Sequence, residues 1–504
     1  MIVGVDAGGT NVDAAAVEPG EGVRATAKRP AEEADVDAVR DVLSAVVDRP
    51  DDVERVVVCT TRVLNDLVQD RLPSVSNVVV PGVGLAPELA FHGDEDVVAR
   101  GCVDHRGRVT EPPSLASQPE HDVVAVTAKF STRNPDVERE IADGFEASAV
   151  AYGSDAGGSL GFPRRAATTV ANARSKPRHE SFSRVFEKAL HDVDVDAPVF
   201  YLKGDAAVVS RDVAERAAAQ TLRSGPASSS LGLLALSGRD HAVCVDVGGT
   251  TTDVTVVRDG FPVLQEGFER AEVETWYDGV DSVDLSLGGD TRLDEDGLTR
   301  RRDGYSASYG GVHPTLTDAV NVLGGEVGDS EASREAFERE SLTESDARDA
   351  VEEYVDAVAD AVDDRDGDAP VLLGGALAPA LRDELEKAVG RDVEVPRHAD
   401  VCGAVGCAVA LPSARTSVRL DTSRGELVVS ALGSRREKYD EGVVLDDEEA
   451  RALVERETRR ELDLDDVVEV DVVELTTYNV VEDASVAGQV VEGVGQPKPG
   501  YVDL

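Results

Sequence analysis

The sequence predicts an α/β protein of two related lobes around a shared cleft, followed by a small α+β appendage. Three observations carry this. A glycine hairpin flanked by aspartates occurs twice, 240 residues apart; helical and strand-like stretches alternate around the copies; and the texture changes after about Leu411. At 504 residues the chain is long enough for roughly three domains.

The first copy starts at the first residues. Ile2-Val3-Gly4-Val5-Asp6 reads as a strand, Ala7-Gly8-Gly9-Thr10 with Asn11 as a tight turn, and Val12 to Val17 as the returning strand. The second copy is Val243-Cys244-Val245-Asp246, then Val247-Gly248-Gly249-Thr250 with Thr251, then Thr252-Asp253 to Val257. A repeat of such long period implies paired lobes rather than a short-period solenoid. Between the copies, helical stretches (Val36 to Val47, Asp136 to Ala147, Ser181 to Val193, Arg211 to Leu222) alternate with runs such as Val56-Val57-Val58, Val78 to Val80, Val123 to Val126 and Val199 to Leu202. That alternation is the signature of α/β lobes. Paired hairpins of this kind predict actin-like (ribonuclease H-like) lobes over residues 1–175 and 176–412. Pro-Gly-Ser punctuation at Gly153 to Pro163 and at Ser224-Gly225-Pro226 marks loops. From Ala332 to Ala361 the pattern is helical, and Val371-Leu372-Leu373 is a buried strand. Residues 413–504 alternate strands (Ser417 to Leu420, Leu427 to Ala431, Val467 to Val473, Val486 to Val491) with an acidic helix, Asp446 to Glu461.

The formal net charge is −48 and is spread along the chain, with lysine scarce beside arginine. Such a surface repels phosphate backbones and anionic headgroups, which argues against nucleic-acid and membrane partners. It suits a salt-saturated cytoplasm, where screening removes much of the self-repulsion, and a halophilic source is expected. No apolar run approaches a membrane span and the first residues carry no basic leader pattern, so a cytoplasmic protein is expected. Five cysteines, four of them in apolar or small-residue runs, do not make a disulfide framework.

The hairpins carry the chemistry. A Gly-Gly turn lets the backbone take φ > 0 and approach a ligand closely, so that several N–H groups point at one phosphate, and Thr10 and Thr250 add hydroxyl donors. The expected nucleotide contacts are therefore Gly8, Gly9, Thr10, Asn11, Gly248, Gly249, Thr250 and Thr251. Asp6 and Asp246 at the strand ends, with Asp13 and Asp253 across the hairpins, are placed to hold Mg²⁺ directly or through its waters, between the β- and γ-phosphates of ATP. Asp6 and Asp246 are also the candidate catalytic carboxylates, orienting the metal or acting as base. Gly374-Gly375-Ala376, between an apolar strand and a helix, suits an adenosine contact and equally an ordinary strand-to-helix turn. Cys402 and Cys407, among glycine and alanine, read as close helix packing.

Beyond the hairpins, Thr60-Thr61 with Asn65, Phe130-Ser131 with Asn134-Pro135 and Glu138, Thr168-Thr169 with Asn172-Ala173, Ser224-Gly225-Pro226-Ala227, and Thr315 to Ala319 with Leu323-Gly324 follow in order. Together these resemble the hydantoinase A / 5-oxoprolinase family over most of residues 1–411. The resemblance implies ATP and Mg²⁺ used to open a small cyclic amide, with relatives serving ketone carboxylases and a B-type subunit as usual partner. A homo-oligomer stays open. Two stretches depart from the family pattern: Gly288-Gly289-Asp290-Thr291 stands where a turn ending in serine is typical, and Lys203-Gly204-Asp205-Ala206 where Ser-Asp-Gly-Gly is. Three functions remain: a cyclic-amide hydrolase, a carboxylase subunit or kinase-like phosphotransferase, and a non-enzymatic actin-like nucleotide switch.

Overall fold

The computed structural model describes residues 1–31, 36–60, 72–157, 161–267, 269–270, 273–299, 301–366, 368–431, 433–462, 469–497 and 500–504. Thr61 and Asn65, part of the Gly153–Pro163 loop and the start of the Val467 strand lie outside them.

Both glycine hairpins head sheets of one design. In the first, Asn11–Glu18 pairs antiparallel with Ile2–Ala7 and with Gly22–Pro30, while Arg55–Thr60 and then Val199–Leu202 add parallel on the other side. In the second, Thr252–Arg258 lies between Ala242–Val247 and two short outer strands, Phe261–Pro262 and Ser282–Leu285, and Val371–Gly374 and Val393–Glu394 add in parallel. The internal repeat seen in the sequence is thus a repeat of topology.

The central strands are apolar on both faces because helices cover both. In the first lobe Val3, Val5, Ala14 and Ala16 pack with Val39, Leu43 and Phe186 of the helices Val36–Val46 and Phe162–Asp192. Ile2, Ala15 and Val17 pack instead with Ala404, Val405 and Ala408 of Cys402–Val409. In the second lobe Val243, Val245 and Val254 pack on Tyr354 and Leu381 of the outer helices Glu344–Asp363 and Ala378–Val389. On its inner face Cys244 and Leu372 meet Leu233 of Ser224–Ser237.

Ser224–Ser237 and Cys402–Val409 therefore form a layer between the two sheets, and small residues set its thinness. A Cβ on Gly232 would fall 1.9 Å from the Cys402 carbonyl oxygen, one on Gly406 1.8 Å from that of Ser228, and one on Gly4 2.0 Å from that of Ala404. The packing role expected for the Cys402–Cys407 segment is what is found, and all five cysteines are free.

The boundary expected at residues 175 and 176 can be set against the elements around it. It falls inside the 31-residue helix Phe162–Asp192, and the strands Val199–Leu202 and Val208–Ser210 belong to the first sheet. We propose the crossing into the second lobe within Ser224–Ser237. The first lobe also carries an all-parallel sheet of its own, ordered Ala149–Tyr152, Val123–Ala128, Val75–Val80, Glu95–Val98. The appendage is a five-stranded antiparallel sheet with the helix Asp447–Leu462 packed on one face through Ala450, Leu453 and Val454. Among the described residues no helix is long and apolar enough to cross a membrane.

Candidate functional site

The two hairpin turns are built alike and touch. Gly8 N–H donates to the Asn11 carbonyl at 3.0 Å, and Gly248 N–H to that of Thr251 at 3.0 Å. A Cβ placed on Gly249 would lie 2.6 Å from Thr10 Oγ1, which puts the turn of the second lobe against that of the first. Around this meeting point opens a cleft of about 400 Å³ lined by Gly8, Gly9, Thr10, Asn11, Gly248, Gly249, Thr250, Thr251 and Gly375 and by all four expected aspartates.

Two expectations are corrected. None of the four hairpin glycines takes a left-handed φ; at Gly249 the opposite turn and Asp290 leave no room for a side chain, while at Gly8 and Gly248 a Cβ would crowd a carbonyl of their own turn at 3.2 and 3.0 Å. Gly374 does not line the cleft: it ends a buried strand, where a Cβ would meet Cys402 Sγ at 2.9 Å. Its neighbour Gly375 does line it, has φ +95°, and lies so close to the start of the second turn that a Cβ would be 2.2 Å from the Val247 carbonyl oxygen.

The aspartates face each other in register across each hairpin, Asp6 opposite Asp13 and Asp246 opposite Asp253. Burial, reinforced by Asp13 and Asp246 and opposed by the Cys59 thiol that donates to Asp6 Oδ1 at 3.0 Å, pushes the Asp6 carboxyl up to about 7. Burial also raises Asp246, which accepts hydrogen bonds from the Ser229 hydroxyl and, at 3.8 Å, from the Cys402 thiol. Asp13 is likewise raised, burial outweighing Lys28, whose ammonium donates to Asp13 Oδ2 at 2.7 Å.

Three cleft residues escaped the sequence reading. Lys28 is the cross-strand partner of Asp13, a signal that placing the third strand of the sheet would have supplied. Asp290 is raised to about 6 by burial, against Arg302 at 3.5 Å. Arg223, with a left-handed φ of 63° immediately before Ser224–Ser237, also lines the cleft. The atypical Gly288-Gly289-Asp290-Thr291 turn has a structural job. Gly289 and Asp290 N–H donate to the Gly248 and Gly249 carbonyls at 2.9 and 2.7 Å, bracing the second turn.

Among the described residues no three His, Cys, Asp or Glu side chains converge into a metal cage. Mg²⁺ does not need one: it keeps several waters and takes one or two carboxylates with substrate phosphates. Asp13 fits that use, since its Oδ1 is buried without a hydrogen-bond partner among the described residues while Oδ2 holds Lys28. Apposed turns, paired carboxylates and a lysine can together hold a polyphosphate with its metal.

This fold is that of two actin-like lobes, and solved structures share it. Acetone carboxylase, nucleotide-free, overlays with TM-score 0.72 at 16% identity, over 100% of this chain and 88% of that one. The ATP-dependent caprolactamase of Pseudomonas jessenii overlays with TM-score 0.63 at 17% identity, with the same coverage. The models of the hydantoinase/oxoprolinase N-terminal region and of hydantoinase/oxoprolinase match residues 2–97 and 165–365, more than half of the chain. The chain belongs to the hydantoinase/oxoprolinase family. It is 26% identical over 218 residues to caprolactamase subunit alpha of Pseudomonas jessenii, a match spanning 40% of this chain and 31% of that relative.

Proposed function

We propose that the chain is the ATP-consuming component of an enzyme that opens cyclic amides of the hydantoin or 5-oxoproline type. A lactam carbonyl is a poor electrophile. Transfer of the γ-phosphoryl to its oxygen creates a leaving group; water then adds to the carbon and the ring C–N bond breaks, giving ADP, phosphate and the open amino acid. The observation that carries this reading is the contact of two matched glycine turns, each with its carboxylate pair, across one cleft in a chain of this family.

In this scheme the turn amides and threonine hydroxyls grip the phosphates, and Lys28 and Arg223 offset their charge. Asp13 and Asp253 are the residues to hold Mg²⁺, which when bound neutralises charge on the phosphate oxygens. Asp6, titrating near neutrality, is placed to take or hold a proton at its carboxylate. A separately encoded B-type chain is the expected partner, in line with the subunit status of the caprolactamase relative.

The test is ADP release with purified chain, alone and with a B-type subunit, in the presence of hydantoin, 5-oxoproline or caprolactam. Stimulation by one of these supports the reading. Bicarbonate-dependent ADP release with a ketone would favour the acetone carboxylase chemistry instead, and nucleotide turnover indifferent to every acceptor would favour a switch.

A further inference from the structure

The appendage leaves one edge of its sheet open. Val470–Glu482, 13 residues long, is the outermost strand of five and, among the described residues, pairs only with Ser485–Pro497. The Arg451 guanidinium reaches one carbonyl of the strand, that of Val472, at 3.5 Å. Folded proteins commonly guard such an edge with lysine, proline or short strands. This strand is long and holds no proline, and no lysine or arginine occurs between Arg460 and Lys498. Val473, Tyr478, Val481 and Val486 of the hairpin are all exposed.

Two bulges divide the strand. Its register with Ser485–Pro497 shifts between Val472 and Glu474 and again between Val480 and Val481, so Glu474 to Val480 is a regular run of seven residues. The faces of this run are settled within the chain. Leu475 packs against the apolar cluster beneath the helix Asp447–Leu462, while Glu474, on the opposite face, pairs with Arg415 at 3.1 Å. What the chain leaves open is the backbone edge, flanked by the exposed Val473 and Val481. The run is also complementary to itself. Laid antiparallel on a copy with Thr477 at the centre, Thr477 meets Thr477, Thr476 meets Tyr478, Leu475 meets Asn479 and Glu474 meets Val480. Thr–Thr and aromatic–β-branched pairs are favourable cross-strand neighbours, and in this register no carboxylate of the run faces another. The same register overlaps all seven residues and brings Val473 beside Val481 of the copy.

We propose that Glu474 to Val480 docks on the same strand of a second copy of this chain, joining two appendages into one continuous antiparallel sheet about a two-fold axis at Thr477. The occupant is a second copy because the run matches itself, which is what a two-fold contact demands. The net charge of −48 opposes the approach of two copies, so salt strengthens the dimer. The assignment goes beyond the reading of the cleft, since it involves neither nucleotide nor acceptor. It also gives the appendage a function, as the element that pairs two chains.

Sedimentation velocity of the full chain without nucleotide, at tens of micromolar in roughly 1 M KCl, where the screening length falls to about 3 Å, tests this. A dimer is expected. Amide hydrogen exchange of the same protein should slow at least about tenfold over residues 474–480 between dilute monomer and concentrated dimer. Under copper–phenanthroline oxidation, Thr477→Cys should cross-link into a dimer at least about tenfold faster than Thr476→Cys, whose two thiols would sit diagonally, on Cα atoms about 7–8 Å apart and beyond bridging reach. Four of the five native thiols are buried and the fifth is half-buried, so the wild-type chain supplies the baseline. A chain that stays monomeric overturns the proposal, and so does a dimer whose 474–480 amides exchange as in the monomer, even if neither variant folds. Equal cross-linking of the two folded variants overturns it as well. Slowing of those amides only on addition of a B-type subunit would give the edge to that partner instead. None of these measurements reads ADP release, so the dimer and the proposed reaction stand or fall separately.

Discussion

Substituting Gly249 by alanine should force apart the two turns on which nucleotide binding is argued to depend. The added Cβ would lie 2.6 Å from Thr10 Oγ1, 3.0 Å from Thr10 Cγ2 and 2.6 Å from Asp290 Oδ2. Ordinary contact then requires the turns to separate by about 1 Å, and forcing a methyl into packed surroundings costs about 1–3 kcal/mol. If one nucleotide must touch both turns, that cost appears in its binding, as a loss of roughly 5- to 150-fold in affinity. A fluorescent ATP analogue titrated against wild type, Gly249→Ala, Thr10→Ala and the double variant measures it. Thr10→Ala removes one of the two obstructions and leaves Asp290, so the double variant should recover part of the loss relative to additivity. Wild-type affinity in Gly249→Ala, or strictly additive effects in the cycle, would refute the claim that the turns meet around the ligand.

Lys28→Met should lower stability by about 2 kcal/mol in guanidinium denaturation, because it leaves the partly buried Asp13 carboxylate beside Asp6 without its charged hydrogen-bond donor; an unchanged midpoint would argue that the pair is incidental. Gly375→Ala should cost about 1–3 kcal/mol, since φ +95° is strained for alanine and its Cβ would meet the Val247 carbonyl; a wild-type melting temperature would contradict this geometry. Burial, with Arg211 adding to it, depresses His179 to about 4 from 6.5. Its contribution to stability is therefore complete above pH 6.5 and is lost as pH falls toward 4, by up to about 3 kcal/mol. His179→Phe should flatten the pH dependence of stability over that window, measured by denaturation at pH 7, 5.5 and 4.5, and an unaltered slope would count against it.

Much of the lobe architecture was readable because it repeats. The sequence Val-Asp-x-Gly-Gly-Thr fixes a strand, a turn and the carboxylate opposite it, and two copies place one such unit at the head of each sheet. What escaped depends on register or on long-range packing. Lys28 belongs to the site only because Gly22–Pro30 pairs with Asn11–Glu18 so that residue 28 faces residue 13. Asp290 reaches the cleft through a turn whose N–H groups bond the second hairpin, a contact across 41 residues with no periodic signature. The helix Phe162–Asp192, inside which the expected boundary falls, was hard to read because it runs through Pro177 and is buried along much of its length, so its apolar residues form no single stripe. The parallel inserted sheet was seen only as isolated valine runs, since a strand buried on both faces lacks the alternation that would group it. Hairpin glycines were expected for their φ freedom, whereas none takes a left-handed φ and at Gly249 it is the opposite turn that leaves no room for a side chain.

The most direct test is a crystal structure of the chain with Mg²⁺ and a non-hydrolysable ATP analogue. The account predicts the β- and γ-phosphates within hydrogen-bonding distance of the amides of both residues 8–11 and residues 248–251, with the metal on the Asp13 or Asp253 side. A nucleotide bound at one turn only would contradict it.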